Sequence, residues 1–190
     1  LAACLTYFVR RQRYRVGLIT FDSAVVDFIP PSAKHMEIIL HTLNKVEPGV
    51  GRKGDLTQPL LRAADRLRRK GLVVLISDLY EPPSQVIEAI KPLRARGHEL
   101  IVFQILDPHE LDFPFEDPSL FEDLESGTRL PILPGAQRER YRTAMKRHMD
   151  ELAKLFRDNR VDYAVHNTGQ PLDYALFNFL SARERLNRIR

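Results

Sequence analysis

Leu72-Val73-Val74-Leu75-Ile76-Ser77-Asp78 joins five aliphatic side chains to a hydroxyl and a carboxylate. An all-aliphatic run is the pattern of a strand buried on both faces, as in a parallel sheet covered by helices. A carboxylate at the carboxyl end of such a strand stands where open α/β sheets bind their ligands. Asp78 is therefore the first candidate. A second group, Asp107-Pro108-His109-Glu110-Leu111-Asp112, follows the apolar run from His98 to Leu106 and offers four groups suited to metal ligation or proton transfer. Carboxylates alternating with proline and apolar residues more often build a capped loop. If the two loops converge, Asp78, Asp107 and Glu110 would suit a metal-dependent hydrolase or a phosphate-handling enzyme.

Other motifs carry less. The glycines from Gly49 to Gly54 precede a helix, but Lys53 is followed by Gly54, so the phosphate-cradling Gly-Lys-Ser/Thr pattern is missing. Backbone amides there could still hold an anion at a helix start. No dinucleotide fingerprint, Gly-x-Ser-x-Gly elbow or Cys/His zinc spacing occurs, so the common catalytic classes lack support. His148 falls on the apolar stripe of a helix and His166 ends a strand, where satisfied core histidines are commoner than ligands.

The elements that position these residues follow from periodicity and punctuation. A helix over Leu1–Arg13, with Leu1, Leu5, Phe8 and Val9 inward, leads into a hairpin of Tyr14–Phe21 and Ala24–Ile29, which Pro30-Pro31 stops. A helix through Met36, Ile39, Leu40, Leu43 and Val46 follows. The next has Leu60, Leu61, Ala64 and Leu67 inward, is capped by Asp55 or Thr57 through the box-like Asp55-x-x-Gln58, and ends at Gly71. Then come the strand to Ile76, a helix opened by Pro82-Pro83, and the strand His98–Leu106. A Pro-rich acidic insertion at about 107–134 holds a small hairpin around Glu125-Ser126-Gly127. A long helix over 136–158, with Tyr141, Met145, His148, Leu152 and Leu155 inward, a strand Val161–His166 and a helix from Leu172 to about Leu186 complete a single α/β domain over 1–190.

A chain of 190 residues, 44% hydrophobic and 28% charged, has the composition of an ordinary globular protein. No apolar run reaches the ~18 residues that span a bilayer, and no secretory leader is visible. The first residue is Leu1 rather than Met, which suggests a piece cut from a longer protein. The lone Cys4 fits a reducing cytoplasm. A net charge of +4 is a weak argument for nucleic acid, which is not the expected partner. The charge is segregated, however. No Lys or Arg occurs from Glu99 to Gly127, whereas the next helix is expected to carry Arg138, Arg140, Arg142, Lys146, Arg147, Lys154, Arg157 and Arg160. The simpler reading is that loop and helix complement each other within one fold; the sharper is two docking faces of opposite sign.

Several segments resemble the bacterial domain-of-unknown-function family 58: Arg15-Val16-Gly17-Leu18-Ile19-Thr20-Phe21-Asp22, Arg69-Lys70-Gly71 through Leu79, Asp107-Pro108-His109-Glu110-Leu111-Asp112-Phe113-Pro114-Phe115, and Phe121-Glu122-Asp123-Leu124-Glu125-Ser126-Gly127. The resemblance implies a von Willebrand factor A-like three-layer sandwich. Its central sheet is mostly parallel, with one antiparallel edge strand from the Asp22-Ser23 hairpin, and its first strand would precede Leu1. It also implies an adaptor, not an enzyme, that works in the cytoplasm with a MoxR-type AAA+ ATPase and client proteins in assembly or maturation. Domains of that type hold Mg²⁺, or Mn²⁺, in a metal-ion-dependent adhesion site of hydroxyl and carboxylate oxygens. By this resemblance Asp78 is the third ligand element. The threonine element falls on Gly54 with Asp55 beside it, or on Thr57 if the helix start shifts by a turn, and the first Asp-x-Ser-x-Ser loop would lie upstream.

Overall fold

The computed structural model describes residues 1–45, 55–123, 127–173 and 176–177. The order of elements is α1 (Ala2–Arg11), β1 (Val16–Phe21), β2 (Val25–Ser32), α2 (Met36–Lys45), α3 (Thr57–Arg66), β3 (Leu72–Ser77), α4 (Pro83–Ala95), β4 (Glu99–Leu106), α5 (Pro108–Asp112), β5 (Ser119–Glu122), β6 (Arg129–Ile132), α6 (Pro134–Asp158) and β7 (Asp162–Asn167). The mixed α/β class expected from sequence is what forms. The chain divides into two compact units. One comprises Leu1–Lys70, Glu88–Gly97 and Phe121–Leu130, the other Gly71–Ile87, His98–Leu120 and the chain from Pro131 onward.

In the first unit β1 and β2 pair antiparallel, with Leu18 opposite Ile29 and Val16 opposite Ser32. The two prolines do not stop β2, which runs through them to Ser32. The register shifts between Val16 and Leu18, opposite those prolines, and such an irregularity tolerates residues without an N–H. Gly17 sits at this shift, where a Cβ would fall 2.6 Å from the Ile29 carbonyl oxygen. The inward face of α3 is Pro59, Leu60, Ala63 and Ala64; Leu61 is largely exposed. That helix ends at Arg66 rather than Gly71, and Leu56 is its N-cap, without a side-chain cap bond. In α1 the buried residue is Thr6, and Phe8 is half-exposed.

The second unit is built on a parallel sheet ordered β3-β4-β7. Leu75 pairs with Val102, and Val102 with Tyr163. The central strand is the most buried: Leu100, Ile101, Val102, Phe103, Gln104 and Leu106 are all in the core. Met145, Leu152 and Phe156 form the buried face of α6, and the Phe156 ring lies 5.0 Å from that of Tyr163. Tyr141, His148 and Leu155 are only partly covered.

The β1–β2 hairpin is not the antiparallel edge of this sheet but a separate two-stranded sheet. Among the described residues neither of its strands pairs with β3, β4 or β7. The β5–β6 hairpin forms as expected, its strands tied by Arg129 Nε donating to Glu122 at 2.9 Å; residues 124–126 at its tip lie outside the described residues. The helix expected from Leu172 to Leu186 lies mostly outside them too.

Candidate functional site

β3 delivers Asp78 to the carboxyl edge of the parallel sheet with its side chain exposed. The next residue, Leu79, is fully buried yet has a left-handed backbone at φ 56°. For a bulky L-residue that conformation costs roughly 1–2 kcal/mol, so the surroundings must hold it. The Leu79 N–H donates to Ser77 Oγ at 3.2 Å, and Ser77 Oγ donates to Asp78 Oδ1 at 3.3 Å. The Asp78 carbonyl accepts from Gln104 Nε2 at 2.8 Å. The Leu79 carbonyl accepts from His148 Nε2, also at 2.8 Å. A carbonyl only accepts, so His148 carries a proton on Nε2. Gln104 is completely buried in the middle of β4, and its Oε1 accepts the Tyr163 hydroxyl. Burial pushes the Tyr163 phenol up to about 12, which keeps it a donor.

The second candidate group lies in the same unit, at the end of β4. Asp107 is the N-cap of α5 in a full capping box: its Oδ1 accepts from the His109 N–H at 2.9 Å, and Glu110 Oε2 accepts from the Asp107 N–H at 2.7 Å. His109 Nδ1 lies 2.8 Å from the same Asp107 oxygen, and Thr168, just beyond β7, donates to the other at 3.2 Å. The His109 backbone N–H, then its side chain, hold the Asp107 carboxyl below its ordinary value. These bonds make Asp107 and Glu110 the frame of a capped loop.

One side chain joins the two groups. Tyr80, half-exposed, hydrogen-bonds Glu110, and its phenol is raised well above 10, first by burial and then by the Glu110 bond and charge, with smaller contributions from Tyr141 and Asp78. Tyr141 is raised by burial and by the Glu110 charge. Both phenols therefore remain neutral through the physiological range. Phe113, the C-cap of α5, is a second buried left-handed residue, at φ 45°, its ring 4.7 Å from that of Tyr141 and in edge-on contact with Phe115 at 5.2 Å.

From α6 come the donors that hold this segment. Arg138 donates to the Phe113 and Phe115 carbonyls at 3.2 and 2.7 Å, and Arg142 to the Asp112 carbonyl at 2.7 Å. Acidic loop and basic helix do meet, then, but through the backbone rather than through carboxylates. Gln104 was not singled out in the sequence, although it is the one polar side chain between Leu100 and Leu106.

Asp55 and Thr57 lie in the first unit, where Asp55 Oδ1 accepts from the Thr57 N–H at 2.8 Å as a local turn. Gly54 and the rest of the Gly49–Gly54 loop lie outside the described residues. Asp78 lies in the second unit. Among the described residues no three His, Cys, Asp or Glu side chains come together as a metal-holding group, and Asp78, Asp107 and Glu110 do not do so either.

The family model for a protein of unknown function, DUF58, matches residues 1–151. The chain belongs to the DUF58 family. Relatives include the uncharacterized protein Rv1480 of Mycobacterium tuberculosis, 27% identical over 97% of this chain and 59% of the relative. The uncharacterized protein MAV169 of Mycobacterium avium is also 27% identical, over 72% of this chain and 80% of the relative. The chain thus spans 59% of the length of the first of these curated relatives. Two solved structures share the fold. One is the conserved hypothetical protein BatB from Bacteroides thetaiotaomicron, with a TM-score of 0.56, 15% identity, and coverage of 96% of this chain and 87% of that one. The other is an aerotolerance-related membrane protein from Bacteroides fragilis, with a TM-score of 0.54, 16% identity, and coverage of 98% and 85%. Among the described residues no helix of this DUF58 chain is long and apolar enough to cross a membrane.

Proposed function

We propose that this DUF58 chain is a von Willebrand factor A-like adaptor. In this reading it acts in the cytoplasm with a MoxR-type AAA+ ATPase on client proteins, without enzymatic activity of its own, and docks its partner at the carboxyl edge of the β3-β4-β7 sheet. The observation that carries the reading is the built turn at Asp78: an exposed carboxylate next to the left-handed Leu79, with the Asp78 and Leu79 carbonyls held by Gln104 and His148. Capping accounts for Asp107 and Glu110, whereas the Asp78 side chain is exposed at the carboxyl edge of the sheet. The von Willebrand factor A-like assignment is supported by the parallel order of β3, β4 and β7.

The test is direct binding between the full-length protein and the MoxR-type ATPase of the same organism, with and without Mg²⁺. Binding that Asp78→Ala weakens at least about tenfold supports the reading, since a desolvated charged contact at an interface contributes on that scale. Dependence on Mg²⁺ would add the adhesion-site cation completed by residues outside those described. Absence of binding, or equal binding by Asp78→Ala, overturns the docking site. The hydrolase alternative built on Asp78, Asp107 and Glu110 loses ground because Asp107 and Glu110 are engaged in the capping box.

A further inference from the structure

We infer that Gln104 and His148 are positioning residues whose task is to keep Leu79 left-handed and so fix where Asp78 points. The inference deepens the reading of Asp78 as the docking side chain, and rests on that reading for its use, but it has its own structural readout.

Four observations lead to it. Leu79 has no exposed surface and a φ of 56°, a conformation that its own chemistry disfavours. A leucine is retained there because its side chain is anchored in the core, so the turn cannot relax by swinging that side chain out. The two carbonyls that flank the Leu79 Cα are each met by one interior donor at 2.8 Å, one from β4 and one from α6. Finally, Gln104 costs the sheet an apolar contact at its most buried strand, and both ends of its amide are used, on the Asp78 carbonyl and on the Tyr163 hydroxyl. A glutamine in such a place is expected only where both bonds are made. Strained backbone held by buried donors beside an exposed polar side chain is the arrangement of a preorganised contact. The same helix treats the acidic segment alike: Arg138 and Arg142 meet the carbonyls around Phe113, the other buried left-handed residue of this unit.

The experiment uses the full-length protein with Gln104→Met, His148→Leu and His148→Gln. The first two remove a donor at nearly constant volume, whereas His148→Gln keeps an N–H. Amide hydrogen exchange is followed at Leu79 and Tyr80, with the β4 amides as the internal reference for folding. Gln104→Met and His148→Leu should each speed exchange at Leu79 and Tyr80 about tenfold, the effect of one lost hydrogen bond of ordinary net strength, and His148→Gln should restore protection. Unchanged exchange in His148→Leu, or equal loss in His148→Leu and His148→Gln, overturns the inference. If Gln104→Met does not fold, the His148 pair decides alone. The ATPase-binding arm separates the two readings. Where Asp78→Ala abolishes binding but His148→Leu binds like wild type, docking at Asp78 stands and the positioning role falls. Where the wild type does not bind the ATPase, the docking reading falls and the positioning role is judged by exchange.

Discussion

Replacing Leu79 by glycine should be no worse than replacing it by alanine, against the usual order. Both variants lose a fully buried leucine side chain, which costs roughly 2–5 kcal/mol in a core that relaxes only partly. At an ordinary buried strand position glycine is then worse than alanine. It loses a further methyl group, about 0.8 kcal/mol, and roughly 0.5–1 kcal/mol of backbone entropy, so the gap is about 1.5 kcal/mol. At Leu79 the backbone sits at φ 56°, and removing Cβ returns the roughly 1–2 kcal/mol that left-handed geometry costs an L-residue. The gap should close to about zero. Leu75, buried in β3 where strand geometry sets a negative φ, is the control. Four variants, Leu79→Ala, Leu79→Gly, Leu75→Ala and Leu75→Gly, are compared by urea unfolding. The alanine-to-glycine gap should be smaller at 79 than at 75 by about 1–2 kcal/mol, or roughly 2–8 °C in Tm for a chain of this size. An equal gap at both positions would show that Leu79 is not left-handed in solution, and the argument for a clamped turn would go with it.

Two further predictions concern different parts of the molecule. The Tyr80 phenol has its folded-state pKa raised above the ordinary 10, so it contributes stability that is present below pH 10 and lost as pH rises beyond it. Glu110→Gln removes the charge and should bring Tyr80 ionisation, followed by ultraviolet difference absorbance, back toward 10; an unchanged titration would sever the link between the two loops. Gly17→Ala places a methyl 2.6 Å from the Ile29 carbonyl oxygen and 2.8 Å from Pro31 N, both backbone atoms. It should lower stability by about 1–3 kcal/mol, as overpacking does, and a wild-type melting curve would show the β1–β2 register to be wrong.

The two kinds of signal in the sequence were read with different success. Long apolar runs gave β3 and β4 within a residue, but the burial of both faces expected for β3 holds for β4 instead: in β3 only Leu75 is in the core and Leu72 is half-exposed. The β5–β6 hairpin was legible from its turn chemistry. Capping was harder: the sequence offers Asp55 as a cap of α3, but it bonds the Thr57 N–H in a turn and the N-cap is Leu56. At Asp107 the alternation with proline and apolar residues pointed to a capped loop, and its capping box is complete. The prolines of β2 misled because their effect depends on which strand edge they face, a tertiary fact. At the site, Asp78 was visible as a carboxylate ending an apolar run. The residues that hold it were not, since Gln104 and His148 lie 26 and 69 positions away and act through bonds to backbone carbonyls. A bond to a carbonyl leaves no partner residue type for a pattern to reveal.

That last point bears on how the acidic segment can change through descent. Arg138 and Arg142 grip the carbonyls of residues 112, 113 and 115, atoms that every amino acid supplies. The shape of the segment is therefore insured against substitution at exposed Asp112, while Phe113 is pinned by its packing on Tyr141 and Phe115. Relatives could exchange exposed side chains along this stretch, and with them the molecules they recognise, on an inherited and unaltered main-chain path.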